Sequence, residues 1–71
     1  MAKVIKAHIT GTVWKIEVKT GDAVDEGTVV AILESMKMEM PVESEDTGTV
    51  AEIHVKEGQP IKEGDPICTL G

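Results

Sequence analysis

The residues with the clearest chemical potential stand together at 34–40, ESMKMEM, where three of the four methionines crowd around a single lysine, Lys37. A lysine amine that has lost its proton is a nucleophile toward an activated acyl carbon. The methionines beside it are unbranched and polarizable, suited to a surface that several differently shaped partners must touch. Other reactive side chains are sparse. Cys68 is a lone cysteine, read as a small buried apolar residue in a reducing compartment. His8 and His54 have no ligand-type neighbours at a zinc-like spacing, so no metal site is expected. No Ser/His/Asp or Cys/His set is present to make this chain an enzyme in its own right.

An amine becomes a site only if something holds it in place. Gly11 placed over Gly48 aligns GTVWKIEVKTGDAVDEGTVVAILE with GTVAEIHVKEGQPIKEGDPICTLG, without a gap and with ten identities in 24 positions. The chain is an internal duplication with an offset of 37. Two copies are too few for a solenoid and point to a closed pair related by a pseudo-twofold. Under the same offset IKAHITG corresponds to VESEDTG, so residues 35–47 bridge the copies.

Within each copy apolar residues alternate with polar ones: Trp14, Ile16, Val18 against Lys15, Glu17, Lys19, and Ala51, Ile53, Val55 against Glu52, His54, Lys56. A period of two marks half-buried strands. Gly21, Gly27, Gly58, Gly64 and the prolines at 41, 60 and 66 punctuate these runs too often for a helix. The expectation is an all-β domain over 1–71, about four short strands per copy in two small sheets packed face to face. Trp14, the only aromatic, is expected in the core, a large residue matched by the small Ala51.

VVAILE must turn into MEMPVE, which places Lys37 at the tip of a surface turn close to the pseudo-twofold axis. Strand alternation carried through this region puts Met36, Met38 and Met40 on one face and Lys37 and Glu39 on the other. Met40, well into the strand, is expected to fill core, and Met36 and Met38 to be half exposed.

Composition narrows the partners. A net charge of -6 and scattered lysines give no electrostatic support for binding nucleic acid or anionic membranes. No apolar run approaches a membrane span and MAKVIKAH lacks a signal-peptide core, so a cytoplasmic location is expected. With one aromatic, a deep small-molecule pocket is not expected. Glu34, Glu39, Glu43, Glu45 and Asp46 near the turn read first as a solvated acidic surface. No heptad or exposed-edge pattern argues against a monomer.

ESMKMEM, with the two flanking halves, resembles the attachment hairpin of biotinyl domains, the biotin carboxyl carrier branch of the biotin/lipoyl attachment superfamily. The likeness covers practically the whole chain. It implies a flattened β-barrel, or barrel-sandwich hybrid, of two four-stranded antiparallel sheets with pseudo-twofold symmetry. It also implies biotin in amide linkage to Lys37, attached from a biotinyl adenylate by biotin protein ligase. Glu34, Ser35, Met36 and Met38 would then take part in ligase or partner recognition. The carried group would shuttle carboxylate between biotin carboxylase and carboxyltransferase, making the chain a non-catalytic carrier. Serine stands at 35 where many members have alanine, and AHITG stands where many have prolines. The equal Gly21–Gly27 and Gly58–Gly64 spacings leave no room for a protruding thumb, as in the small thumbless attachment proteins. Two neighbouring readings share the scaffold: a lipoyl carrier of a 2-oxo acid dehydrogenase system, and an unmodified lipoyl-like interaction module of a membrane-fusion adaptor. Lipoyl hairpins commonly carry Asp and Ala around their lysine, and the adaptor modules are normally split at the hairpin; neither holds here.

Overall fold

The computed structural model describes residues 3–71, and among them every regular element is a strand. In chain order these are β1 (Lys3–Lys6), β2 (Gly11–Ile16), β3 (Ala23–Val24), β4 (Val29–Ser35), β5 (Met38–Glu43), β6 (Gly48–Ile53), β7 (Pro60–Ile61) and β8 (Pro66–Leu70). They form two four-stranded antiparallel sheets, β1-β8-β6-β3 and β5-β4-β2-β7. The body measures 33 × 19 × 18 Å, the flattened barrel-sandwich expected.

The copies do not fold as one sheet each. β1 and β3 come from the first copy and pair with β6 and β8 of the second, while β2 and β4 pair with β5 and β7. Each sheet is thus completed by the other copy, and neither half has a sheet of its own to fold around. The 37-residue offset governs the bonds as well as the strands. Gly27 N–H donates to Ser44 O and Gly64 N–H to Ala7 O, both at 2.8 Å. Gly21 donates to Val50 O at 2.7 Å and Gly58 to Val13 O at 2.6 Å. Where the residue type changes, the task does not: Asp22 Oδ2 accepts from Lys19 N–H at 2.9 Å, and Gln59 Oε1 from Lys56 N–H at 3.1 Å. The four turn glycines have φ between 88° and 96°, a left-handed conformation that a side chain disfavours.

Bulges also recur in pairs. The register shifts between Val13 and Lys15 in β2 and between Val50 and Glu52 in β6, leaving Trp14 and Ala51 as the extra residues. It shifts again at Val30 in β4 and at Ile67 in β8. An extra residue interrupts strict alternation, so two consecutive side chains share a face. At β4 and β8 they turn inward: Val30 with Ala31, and Ile67 with Cys68, are all buried. At β2 and β6 they turn outward, exposing Trp14 with Lys15 and Ala51 with Glu52.

This corrects the expectation for Trp14, which is 47% exposed. The residues that enter the core are Val13 and Val18, with Ile16 partly buried against it. Ala51 is exposed for the same reason, its inward counterparts being Val50 and Val55. Apart from Cys68 the core is aliphatic, from Ile5, Val13, Val24, Leu33, Val42 and their partners. Ser44 is the one buried polar residue among those described, with Oγ bonded to both the carbonyl and the N–H of Asp46, so none of their buried side-chain polar atoms is stranded.

Candidate functional site: the β4–β5 turn

β4 and β5 are joined by the tightest connection a hairpin allows. Ser35 pairs with Met38, leaving only Met36 and Lys37 between them. Both have positive φ, 54° and 64°, and they are the only non-glycine residues in that state among those described. Positive φ at both central positions defines a type I′ turn, whose twist matches that of the flanking strands. The turn ordinarily takes Asn-Gly, because each residue with a Cβ in this conformation costs about 1–2 kcal/mol. Strain of this kind, held by a well-paired hairpin, is characteristic of functional positions.

The turn also redistributes the methionines. Met36 belongs to the turn and not to the strand, so it does not share a face with Met38 and Met40, as alternation alone predicts. It is 89% exposed and Met38 58%, well beyond half exposure for Met36. Met40 pairs with buried Leu33 but is only partly buried and does not belong to the core or to the residues packed against it, so the expectation that it fills core is not met. Lys37 is exposed at the tip, and no ion pair among the described residues occupies its amine. Glu34 and Glu39 face each other directly one pair below Ser35 and Met38. Both are exposed, and two carboxylates opposed in this way are mutually unfavourable.

Gly11 is a support for this hairpin that composition and motif did not single out. A Cβ there would run into the carbonyl oxygen of Glu34 and approach the Ser35 side chain at 3.2 Å. The start of β2 therefore lies flush against the base of the turn. The signal was present in the alignment of Gly11 with Gly48, but the repeat alone gave no reason to connect it with Lys37. Two open clefts among the described residues lie away from the turn, between the edges of β1 and β5, around Lys6, His8, Glu43 and Glu45. The turn is a projecting tip with no enclosing pocket, an arrangement suited to presenting an amine to another protein's active site.

The fold and this tip define a class: a duplicated barrel-sandwich with one lysine at the hairpin joining its halves. A family model described as "Biotin-requiring enzyme" matches residues 1–70, and the chain belongs to that biotin/lipoyl family. It is similar to the biotin/lipoyl attachment protein of Bacillus subtilis, 46% identical over 41 residues covering 58% of this chain and 56% of that one. It is also similar to the biotinylated protein TB7.3 of Mycobacterium tuberculosis, 50% identical over 42 residues and 59% of each chain. These alignments span a little over half the length of those relatives. Among solved structures, the urea carboxylase of Kluyveromyces lactis superposes on all of this chain with a TM-score of 0.93 at 34% identity, using 6% of the larger chain. A single-chain, multi-domain long-chain acyl-CoA carboxylase covers 96% with a TM-score of 0.89 at 26% identity, using 7% of its chain.

Proposed function

We propose that the chain is a biotin carrier domain, with biotin in amide linkage to Nζ of Lys37, serving a biotin-dependent carboxylase. The observation that carries this reading is the lysine held at positive φ on a two-residue turn between Met36 and Met38. Family membership and the likeness to a biotinylated protein and to two carboxylases support it. The residues present fit the group: an exposed primary amine, free of ion pairs among the described residues, on a rigid projecting tip.

Attachment is an acyl transfer. The Lys37 amine gives up a proton, its lone pair forms the amide bond with the activated acyl carbon, and the nucleotide leaves with the electrons of the broken acyl–oxygen bond. This chain supplies position, and the modifying enzyme supplies activation and the proton acceptor. Biotin on Lys37 would supply a ring able to carry carboxylate from one enzyme site to another. Tethering makes both encounters intramolecular, with effective concentrations that can reach about the millimolar range. Biotin protein ligase, a biotin carboxylase and a carboxyltransferase are the partners implied. Met36 and Met38 would provide adaptable apolar contact beside the arm, with Ser35 closing the turn and Glu34 presenting charge at its base.

Intact-mass measurement after co-expression with biotin protein ligase tests the proposal. One biotinyl group per chain, absent from Lys37→Arg, is the expected result. A lipoyl adduct, or an unmodified chain in the presence of active ligase, would sink it in favour of the lipoyl carrier or the unmodified module.

A further inference from the structure

We infer that the outer face of the β5-β4-β2-β7 sheet, a Trp14–Ile32–Pro41 stripe below the Glu34/Glu39 pair, is the surface on which the enzyme that acylates Lys37 seats itself. This rests on the carrier reading and adds where its modifying partner binds. Ile32 is outward between buried Ala31 and Leu33, and pairs with Lys15 on one side and with exposed Pro41 on the other. The bulge sets Trp14 beside Lys15, so indole, isoleucine and proline cross three adjacent strands. On the other sheet the duplication puts Ala51, Thr69 and Val4 in these places, and Thr69 Oγ1 is hydrogen-bonded to His54 Nε2 at 2.6 Å. The pseudo-twofold thus repeats the scaffold but not the surface. The other sheet keeps Val4, 46% exposed, and the small Ala51 at these places, but Thr69 between them is polar, so the continuous Trp14–Ile32–Pro41 stripe belongs to the sheet that carries the turn.

A specific ligase needs such a surface. The chain has seven lysines, and a two-residue turn offers too little area to distinguish one of them. The reacting atom sits on a four-carbon stem, so the ligase must come up against the body of the domain. A carboxylase site meets the far end of a long arm and has no such requirement. Ile32 lies three residues before β4 ends at Ser35, on the order of 10 Å along the strand from the base of the turn that carries Lys37. That is within one footprint of about 800 Å² per partner, on the order of 30 Å across. Charge identifies the partner's chemistry. Glu34 and Glu39 oppose each other without a cation among the described residues, while Lys15 is already beside Glu17 at 3.9 Å. The complementary surface is an apolar recess bordered by Arg or Lys, with the indole as the anchoring group.

The test is steady-state acylation by biotin protein ligase with ATP and biotin, varying the unmodified chain. Trp14→Ala with Ile32→Thr transplants the other sheet's residues into positions where the duplicated backbone already accepts them. The expected result is a KM raised about tenfold with kcat within about twofold, and a wild-type KM that rises with salt. Ala51→Trp, on the other sheet, should leave both parameters unchanged. Circular dichroism establishes that the variants are folded, and Trp14→Leu gives a second reading if the double variant is not. An unchanged KM in a folded variant overturns the inference. So does a wild-type dimer that the variant converts to monomer, which would make the stripe a self-interface. Failure of wild type to be acylated at all would instead overturn the carrier reading.

Discussion

Residues 17–30 and 54–67 are held by the same backbone bonds at the same offset, from Glu17 N–H on Val30 O at 2.9 Å to His54 N–H on Ile67 O at 2.8 Å. Their glycines share φ, and their bulges fall at equivalent residues. Two of the places where the copies part bear on the turn and its surroundings: the bulge residue, Trp14 against Ala51, and the end of the last strand. In the first copy β4 runs into a strained turn bearing Lys37; the symmetry sets against it the place where β8 ends and β1 begins. What is equal between the halves is what the fold needs of each. What is unequal is free to serve recognition and chemistry, and matched substitutions can separate the two.

The largest effect should come from moving the amine within the unequal turn. Met36→Lys combined with Lys37→Met preserves composition, charge and both positive-φ positions while shifting the lysine by one residue. The neighbouring turn position projects differently, so the amine leaves the place where an activated acyl group can meet it. Labelling is expected to fall below detection by mass spectrometry, with the melting temperature nearly unchanged. Normal biotinylation would mean that a ligase needs only an exposed amine, and the geometric account of the turn would fail.

This turn was also what the sequence made easiest to read. ESMKMEM lies between two recognisable copies, so Lys37 had to be at their junction, and the glycine spacing placed the remaining turns. Trp14 was misread because a bulge leaves no residue-type signature: WKIEV alternates as a flat strand would, and only the pairing of Lys15, and not Trp14, with Ile32 reveals the slip. Met36 was misplaced for a related reason, since alternation holds only while φ stays extended. The exchange of strands between the copies was likewise hidden, because a repeat specifies which segments are equivalent without specifying which ones pair.

A smaller effect compares the glycines that begin the equivalent strands. At Gly11 an added Cβ meets the Glu34 carbonyl, a backbone atom fixed in the hairpin that carries Lys37; at Gly48 the nearest atom is the Leu70 side-chain Cβ at 3.2 Å. Gly11→Ala should therefore cost about 3 kcal/mol and Gly48→Ala about 1 kcal/mol, because a side chain gives way more easily than a paired carbonyl. Urea midpoints of the two variants measure the difference. Equal costs would show that the base of the turn is no more tightly built than its symmetry mate.

The smallest effect concerns a core position where the copies differ by one sulfur. Cys68 corresponds to Ala31, and both are buried beside bulged residues, Ile67 and Val30. Cys68→Ala installs the residue the equivalent site already uses, so the loss should be about 1 kcal/mol, near the value of one buried methylene-sized group. Burial pushes the Cys68 thiol above its ordinary 9.0 by disfavouring the thiolate. A raised value in the folded state means that this contribution is complete below pH 9 and is lost as pH climbs through the folded-state value, since the unfolded chain ionises first. Every other ionisable group is common to both proteins, so the informative quantity is their difference. The stability gap between wild type and Cys68→Ala should narrow as the pH is raised above 9. A gap that stays constant would mean that the thiol is not shielded from water, and that the second copy packs its bulge less tightly than the first.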